Sequence, residues 1–193
     1  ACVVQGQAQV PLHPEDTVVV LGCGTIGLLH VMLARQRGAG QILVSGRHSG
    51  RLQLALELGA DKVIDVDRED TRQRVFDLTD GRGADLVIEC VGRPQAWEEA
   101  HWLAGQGGFV LLFGGCPADT QVQFDTTHLH YDQITLKGVF HFTPADVRKA
   151  YHYLVETPLP VEKILTGRAP LKQLPRILEQ LDRGQGIKYV LQP

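Results

Sequence analysis

The chain has 193 residues, 44% of them hydrophobic, enough for one full core and at most a smaller second unit. Its formal net charge is only −3, and no long basic block occurs, which argues against nucleic acid or an anionic membrane as a partner. No apolar run approaches the ~18 residues of a membrane span, and no charged-apolar-small leader opens the chain.

Residues 1–14 read as a connection. The first strand-like run is Thr17–Leu21. Gly22-Cys23-Gly24-Thr25-Ile26-Gly27 follows and leads into an apolar helical stretch, Thr25–Gln36, which places Gly-x-Gly-x-x-Gly between strand and helix. Gly22 allows the tight turn, Gly24 lets a pyrophosphate approach the backbone, and Gly27 lets helix and strand pack closely. The helix N-terminus, with Thr25 and Ile26, presents free N–H groups and partial positive charge to phosphates.

The second strand is Gln41–Val44. A cofactor without a 2′-phosphate normally meets an acidic residue just past this strand, about 20 residues after the motif. Here the residue is Gly46, followed by Arg47 and His48, with Arg51 nearby. A missing carboxylate beside cationic side chains favours NADP(H) over NAD(H). The plain alternative is a solvated basic loop.

A helix over Arg51–Leu58 places Leu52, Ala55 and Leu56 on one face and stops at Gly59. Strands at Lys62–Ile64, Asp85–Glu89, Phe109–Leu112 and Ile134–Lys137 alternate with helices at Asp70–Thr79 and Gln95–Ala104. The strands are short and apolar without polar alternation, as expected when both faces are covered. This rhythm implies an α/β Rossmann fold with a doubly wound, six-stranded parallel sheet over 15–142. Ligands of such sheets bind at the carboxyl ends of the strands, where Cys90, Val91 and Gly92 follow strand four and Gly114 follows strand five.

The final stretch, 143–193, breaks the rhythm. Thr143 caps a helix with Pro144 at its first position and Val147, Ala150, Tyr151 and Leu154 at helical spacing. Thr157-Pro158-Leu159-Pro160 interrupts the chain, and a short run Lys163–Leu165 follows. A second helix carries Leu174, Ile177, Leu178 and Leu181, Gly184 ends it, and Ile187–Leu191 is strand-like.

Other chemistries find little support. His128 and His130 at i, i+2 could chelate from a strand, but no third ligand set completes a metal site, and structural histidines are the better reading. Cys2, Cys23, Cys90 and Cys116 form no Cys-x-x-Cys pair, which suits a reducing cytoplasm. No serine-hydrolase, zincin or P-loop motif occurs.

Taken together, Gly22–Gly27, Leu58-Gly59-Ala60-Asp61, Gly81-Arg82-Gly83-Ala84-Asp85 running into Glu89-Cys90-Val91-Gly92, Gly107-Gly108 and Ile134-Thr135-Leu136-Lys137-Gly138 resemble the C-terminal part of zinc-type medium-chain dehydrogenases, the family of alcohol, sorbitol and threonine dehydrogenases. The resemblance implies hydride transfer between a nicotinamide dinucleotide and a secondary alcohol or polyol and its ketone. It implies zinc held by an N-terminal catalytic domain outside this chain, no metal or catalytic residue within it, and a tail, 143–193, that returns toward that domain. Ala1-Cys2 resembles the segment just after the family's Glu-Pro-Leu, with Cys2 an ordinary buried cysteine, and a start at Ala rather than Met is expected of a chain that is either processed or cut from something longer. Val139 and Phe140 match the segment beside the nicotinamide amide, and Lys188 matches a position that reaches the pyrophosphate. A homodimer or homotetramer paired near Gln121–Lys137 is also implied. Two alternatives remain: a nucleotide-binding or redox-sensing fragment without turnover, and a zinc-free quinone or enoyl reductase relative.

Overall fold

The structure, a computed structural model, describes residues 1–157 and 159–193. Pro158, one of the two prolines expected to break the chain after the first tail helix, lies outside the described residues.

Six parallel strands form the main sheet: β1 (Thr17–Leu21), β2 (Gln41–Gly46), β3 (Lys62–Asp65), β4 (Ala84–Glu89), β5 (Ala104–Leu112) and β6 (Thr135–Gly138), in the order β3-β2-β1-β4-β5-β6. The order reverses between β1 and β4, where Val18 pairs with Leu86 and Leu21 with Glu89. Four helices cover the sheet: α2 (Thr25–Gln36), α3 (Ser49–Glu57), α4 (Thr71–Leu78) and α5 (Pro94–Leu103). Successive strand residues face opposite ways. Val18, Val20, Ile42 and Val44 therefore pack with Leu28 and Val31 of α2 and Leu52 of α3. Val19, Leu21, Leu43 and Ile64 pack with Val75 of α4 and Ala100 of α5. Every residue of β1 is buried, which explains the apolar run Val18–Leu21.

Two local differences from the sequence reading have clear causes. Strand β5 starts at Ala104, well before Phe109, because Ala84 pairs with Ala104 and an irregularity then resets the register to Leu86–Phe109. His128 and His130 sit on a short helix, α6 (Thr126–Tyr131), capped by the Asp125 side chain through the His128 N–H at 2.8 Å. On a helix, residues two apart point roughly 200° away from each other, so these histidines do not share a face.

Residues 1–14 hold a helix, α1 (Cys2–Gln7), with no side-chain cap. It is held by docking on α2. Gln7 Nε2 donates to His30 O at 2.9 Å and approaches His30 Nδ1 at 3.1 Å.

The tail contains α7 (Pro144–Val155), β7 (Leu165–Pro170), α8 (Leu174–Asp182) and β8 (Lys188–Gln192); β7 and β8 pair in parallel as a separate two-stranded sheet. The capping box at the start of α7 is complete: Thr143 and Asp146 each bond the other's backbone N–H. Ile164 is buried against the α2–α3 side of the core, with Leu159, Val161 and Ile187 beside it. Among the described residues no helix is long and apolar enough to cross a membrane.

Candidate functional site

The glycine turn is built at the carboxyl end of β1. Gly22 has φ +102°, a left-handed conformation suited to glycine, and its N–H donates to Ser45 O at 2.8 Å. Cys90 N donates to Leu21 O at 2.9 Å and brings the β4 turn alongside. Gly24 is the N-cap of α2, and a β-carbon added there meets nothing within 4 Å. Gly27 is the opposite case: its β-carbon would run into the Gly22 carbonyl, with Val20 Cγ1 3.5 Å away. One glycine thus opens onto space and the other is closed by backbone.

That space is a cleft of about 770 Å³. Gly22, Gly24, Gly46, Arg47, His48, Arg51, Cys90 and Val91 all border it. The turn after β4 is fixed by Glu89, which is fully buried and whose Oε1 accepts the N–H groups of Val91 at 2.6 Å and Gly92 at 2.8 Å. Burial pushes the Glu89 carboxyl up, against these bonds to the charged form. The sequence reading placed Glu89 in a motif without assigning it a role. An acid closing the apolar run Asp85–Glu89 was the available signal.

The charged rim is uneven. Arg47 pairs with Asp67 at 3.3 Å, both well exposed. Arg51 donates through one nitrogen to Gly184 O at 3.1 Å and Gly186 O at 2.9 Å, which ties the start of α3 to the tail. Thr25 makes a second tie, its hydroxyl donating to Ile187 O at 3.0 Å. His48 has φ +69°, an uncommon conformation for a side-chain-bearing residue, at the N-cap of α3. Across the cleft stand Arg93 and three acids the sequence reading did not single out: Glu69, Asp70 and Glu99. Burial pushes the Glu99 carboxyl up, and nearby Asp70 adds to this while a Thr71 hydrogen bond opposes it.

Gly114, Val139 and Phe140 border a second, mostly apolar cavity of about 690 Å³ with Trp97, Phe113 and Cys116. Gly92 packs against the Gly115 carbonyl, so the β4 turn stands between the two spaces. Cys2 also borders this second cavity and is only partly buried, unlike the buried cysteine expected. Thr25, Ile26, Gly27, Gly92 and Lys188 line neither cavity. Lys188 is exposed at the start of β8, next to the residue whose carbonyl receives Thr25.

Among the described residues no group of three or more His, Cys, Asp or Glu side chains is placed to hold a metal ion. His128 is engaged otherwise: its Nδ1 lies 2.7 Å from Asp132 and its ring stacks on Trp102. A zinc ion therefore finds no ligand set among the described residues.

Residues 25–156 match the zinc-binding dehydrogenase family, and the chain belongs to that family. It is 32% identical over 177 residues to the L-threonine 3-dehydrogenase of Bacillus licheniformis, covering 91% of this chain and 51% of that protein. It is 31% identical over 196 residues to the sorbitol dehydrogenase of Halalkalibacterium halodurans, covering 100% of this chain and 56% of that protein. A crystal structure assigned as a zinc-binding dehydrogenase from Sinorhizobium meliloti 1021, bound to NADP, superposes with a TM-score of 0.93 at 26% identity over 100% of this chain and 56% of that one. The chain therefore spans about half the length of the relatives it matches. The six-stranded Rossmann sheet and the dehydrogenase family read from the sequence both hold.

Proposed function

We propose that this chain is the nicotinamide-dinucleotide-binding half of an oxidoreductase that moves hydride between NADP(H) and a secondary alcohol or polyol and its ketone. The observation that carries the reading is Gly24. It caps α2 with nothing in the path of its absent side chain, above a cleft at the point where the strand order reverses.

Each part of the chain has a task in this reading. The free N–H groups of the first turn of α2 receive the pyrophosphate. Gly46 leaves no carboxylate to repel a 2′-phosphate, and Arg47 and Arg51 supply the facing cations, with the His48 side chain beside them. The Glu89-anchored turn with Cys90, Val91 and Gly92, together with Gly114, Val139 and Phe140, borders the nicotinamide side. The bound dinucleotide supplies the hydride acceptor or donor; the fold's contribution is orientation and exclusion of water. Zinc belongs to a catalytic domain outside this chain. The tail 143–193 returns toward that domain, and Lys188 reaches the pyrophosphate once there. Residues 1–14 connect the two domains, and 15–142 are the dinucleotide unit. The NADP in the Sinorhizobium meliloti structure supports the cofactor class. Four free cysteines support a cytoplasmic location, and the exposed edge strand β6 supports pairing into a homodimer or homotetramer.

The test is titration of the full chain with NADPH and NADH, read by nicotinamide fluorescence. A charge-assisted phosphate contact contributes about 1.5–3 kcal/mol, so NADPH should bind on the order of tenfold more tightly. Tighter NADH binding removes the NADP(H) preference. Binding of neither removes the whole reading.

A further inference from the structure

At the end of β2, the position where an acid would stand packs against a residue of the glycine motif, Cys23. Gly46 does not have a positive φ, so its backbone alone would accept any residue. Space is what forbids one. A β-carbon at position 46 would overlap Cys23 Sγ and would lie 3.1 Å from Cys23 Cβ and 3.2 Å from Cys23 N. The thiol is pinned as well. Cys23 is buried, and its Sγ donates to Arg47 O at 3.1 Å. Burial pushes the thiol up, so it remains the protonated donor. Turning the side chain about χ1 would clear Sγ only by breaking the bond to Arg47.

We propose that Cys23 is a specificity-determining residue: its side chain occupies the volume that the base of a ribose-binding acid at position 46 requires, and so keeps this end of the cleft in its acid-free form. With cysteine at 23 in this rotamer an acid at 46 is disfavoured, and cofactor choice shifts furthest when both residues change. The thiol acts a second time through Arg47, whose carbonyl it holds and whose side chain stands at the rim. This inference rests on the cofactor reading above for its meaning, but its steric core does not.

The experiment is a double-mutant cycle on the full chain with two readouts. In melting curves, Gly46→Ala adds only the β-carbon. It should lower Tm by about 4–8 °C, the effect of overpacking a filled site in a domain of this size. In a Cys23→Ala background the same substitution should cost less than half as much. An equal drop in both backgrounds overturns the proposal. In titrations, Gly46→Asp/Cys23→Ala should bind NADH at least tenfold more tightly than Gly46→Asp alone, including the case where the single variant does not fold. Equal NADH binding by the two overturns the specificity role. A wild-type preference for NADH would instead defeat the cofactor reading, and the melting cycle would still decide whether Cys23 excludes a side chain at position 46.

Discussion

The main sheet and the tail satisfy their apolar residues in different ways. In the sheet, Val18, Val19, Leu43 and Ile88 are fully buried, and both faces find helices from the same chain. In α7, Asp146 is the one buried residue, and Val147, Tyr151, Leu154 and Val155 stay exposed on a helix that is well capped and well patterned. Helical periodicity therefore marks a face that wants a partner without showing that this chain contains it. Most of the buried apolar residues lie in the sheet layers, and the tail joins them through Ile164 and through polar ties to Arg51 and Thr25.

The sharpest way to break this contrast is to remove one core side chain. Leu43→Ala should lose about 2–5 kcal/mol in urea unfolding, because Leu43 is wholly enclosed between strands and the α4–α5 layer. A loss below 1 kcal/mol would mean that the core is looser than its packing shows.

Acid should attack the sheet side next. His30 of α2 is fully buried, its Nε2 has no partner among the described residues, and burial lowers its pKa to about 3. The unfolded chain takes up this proton near pH 6.5, while the folded chain refuses it until about pH 3. Stability contributed by neutral His30 is therefore complete above pH 6.5 and falls as the pH drops through that window. The slope is about 1.4 kcal/mol per pH unit at most. Urea unfolding at several pH values should show His30→Gln losing about one proton of that dependence; an unchanged slope would place the acid sensitivity elsewhere.

The two glycines of α2 divide stability from binding. Gly27→Ala pushes a methyl group into the Gly22 carbonyl and should cost about 1–3 kcal/mol or more of stability, with weaker cofactor binding as a consequence. Gly24→Ala adds its methyl to open space, so the melting curve should stay at wild type while NADPH affinity falls by about 1–3 kcal/mol. Wild-type NADPH affinity in Gly24→Ala would show that this turn does not cradle a dinucleotide.

The smallest effect is expected in the tail. Leu154→Ala removes a half-exposed side chain and should change stability by no more than about 0.5 kcal/mol. A larger loss, measured in the same urea titration as Leu43→Ala, would mean that α7 is already packed in solution and would erase the contrast.

Much of this arrangement was written along the chain. Five of the six strands start within one residue of where their apolar runs place them, and the glycine turn, the α2 N-cap and the capping box of α7 are local patterns with local causes. Such features follow from the sequence because each depends on residues a few positions apart: the period of burial, the cap, the turn. Helix α1 was not legible, being six residues long without a side-chain cap and dependent on a buried bond to His30. The early start of β5 depends on pairing with Ala84 through glycines that read locally as a turn. The exclusion between Cys23 and Gly46, the ties from Arg51 to Gly184 and Gly186, and the separation of the predicted site residues into two cavities were decided only by the tertiary structure. They join residues between 23 and 135 positions apart. Contacts over such distances leave no periodic trace, because their geometry is set by how strands and helices pack.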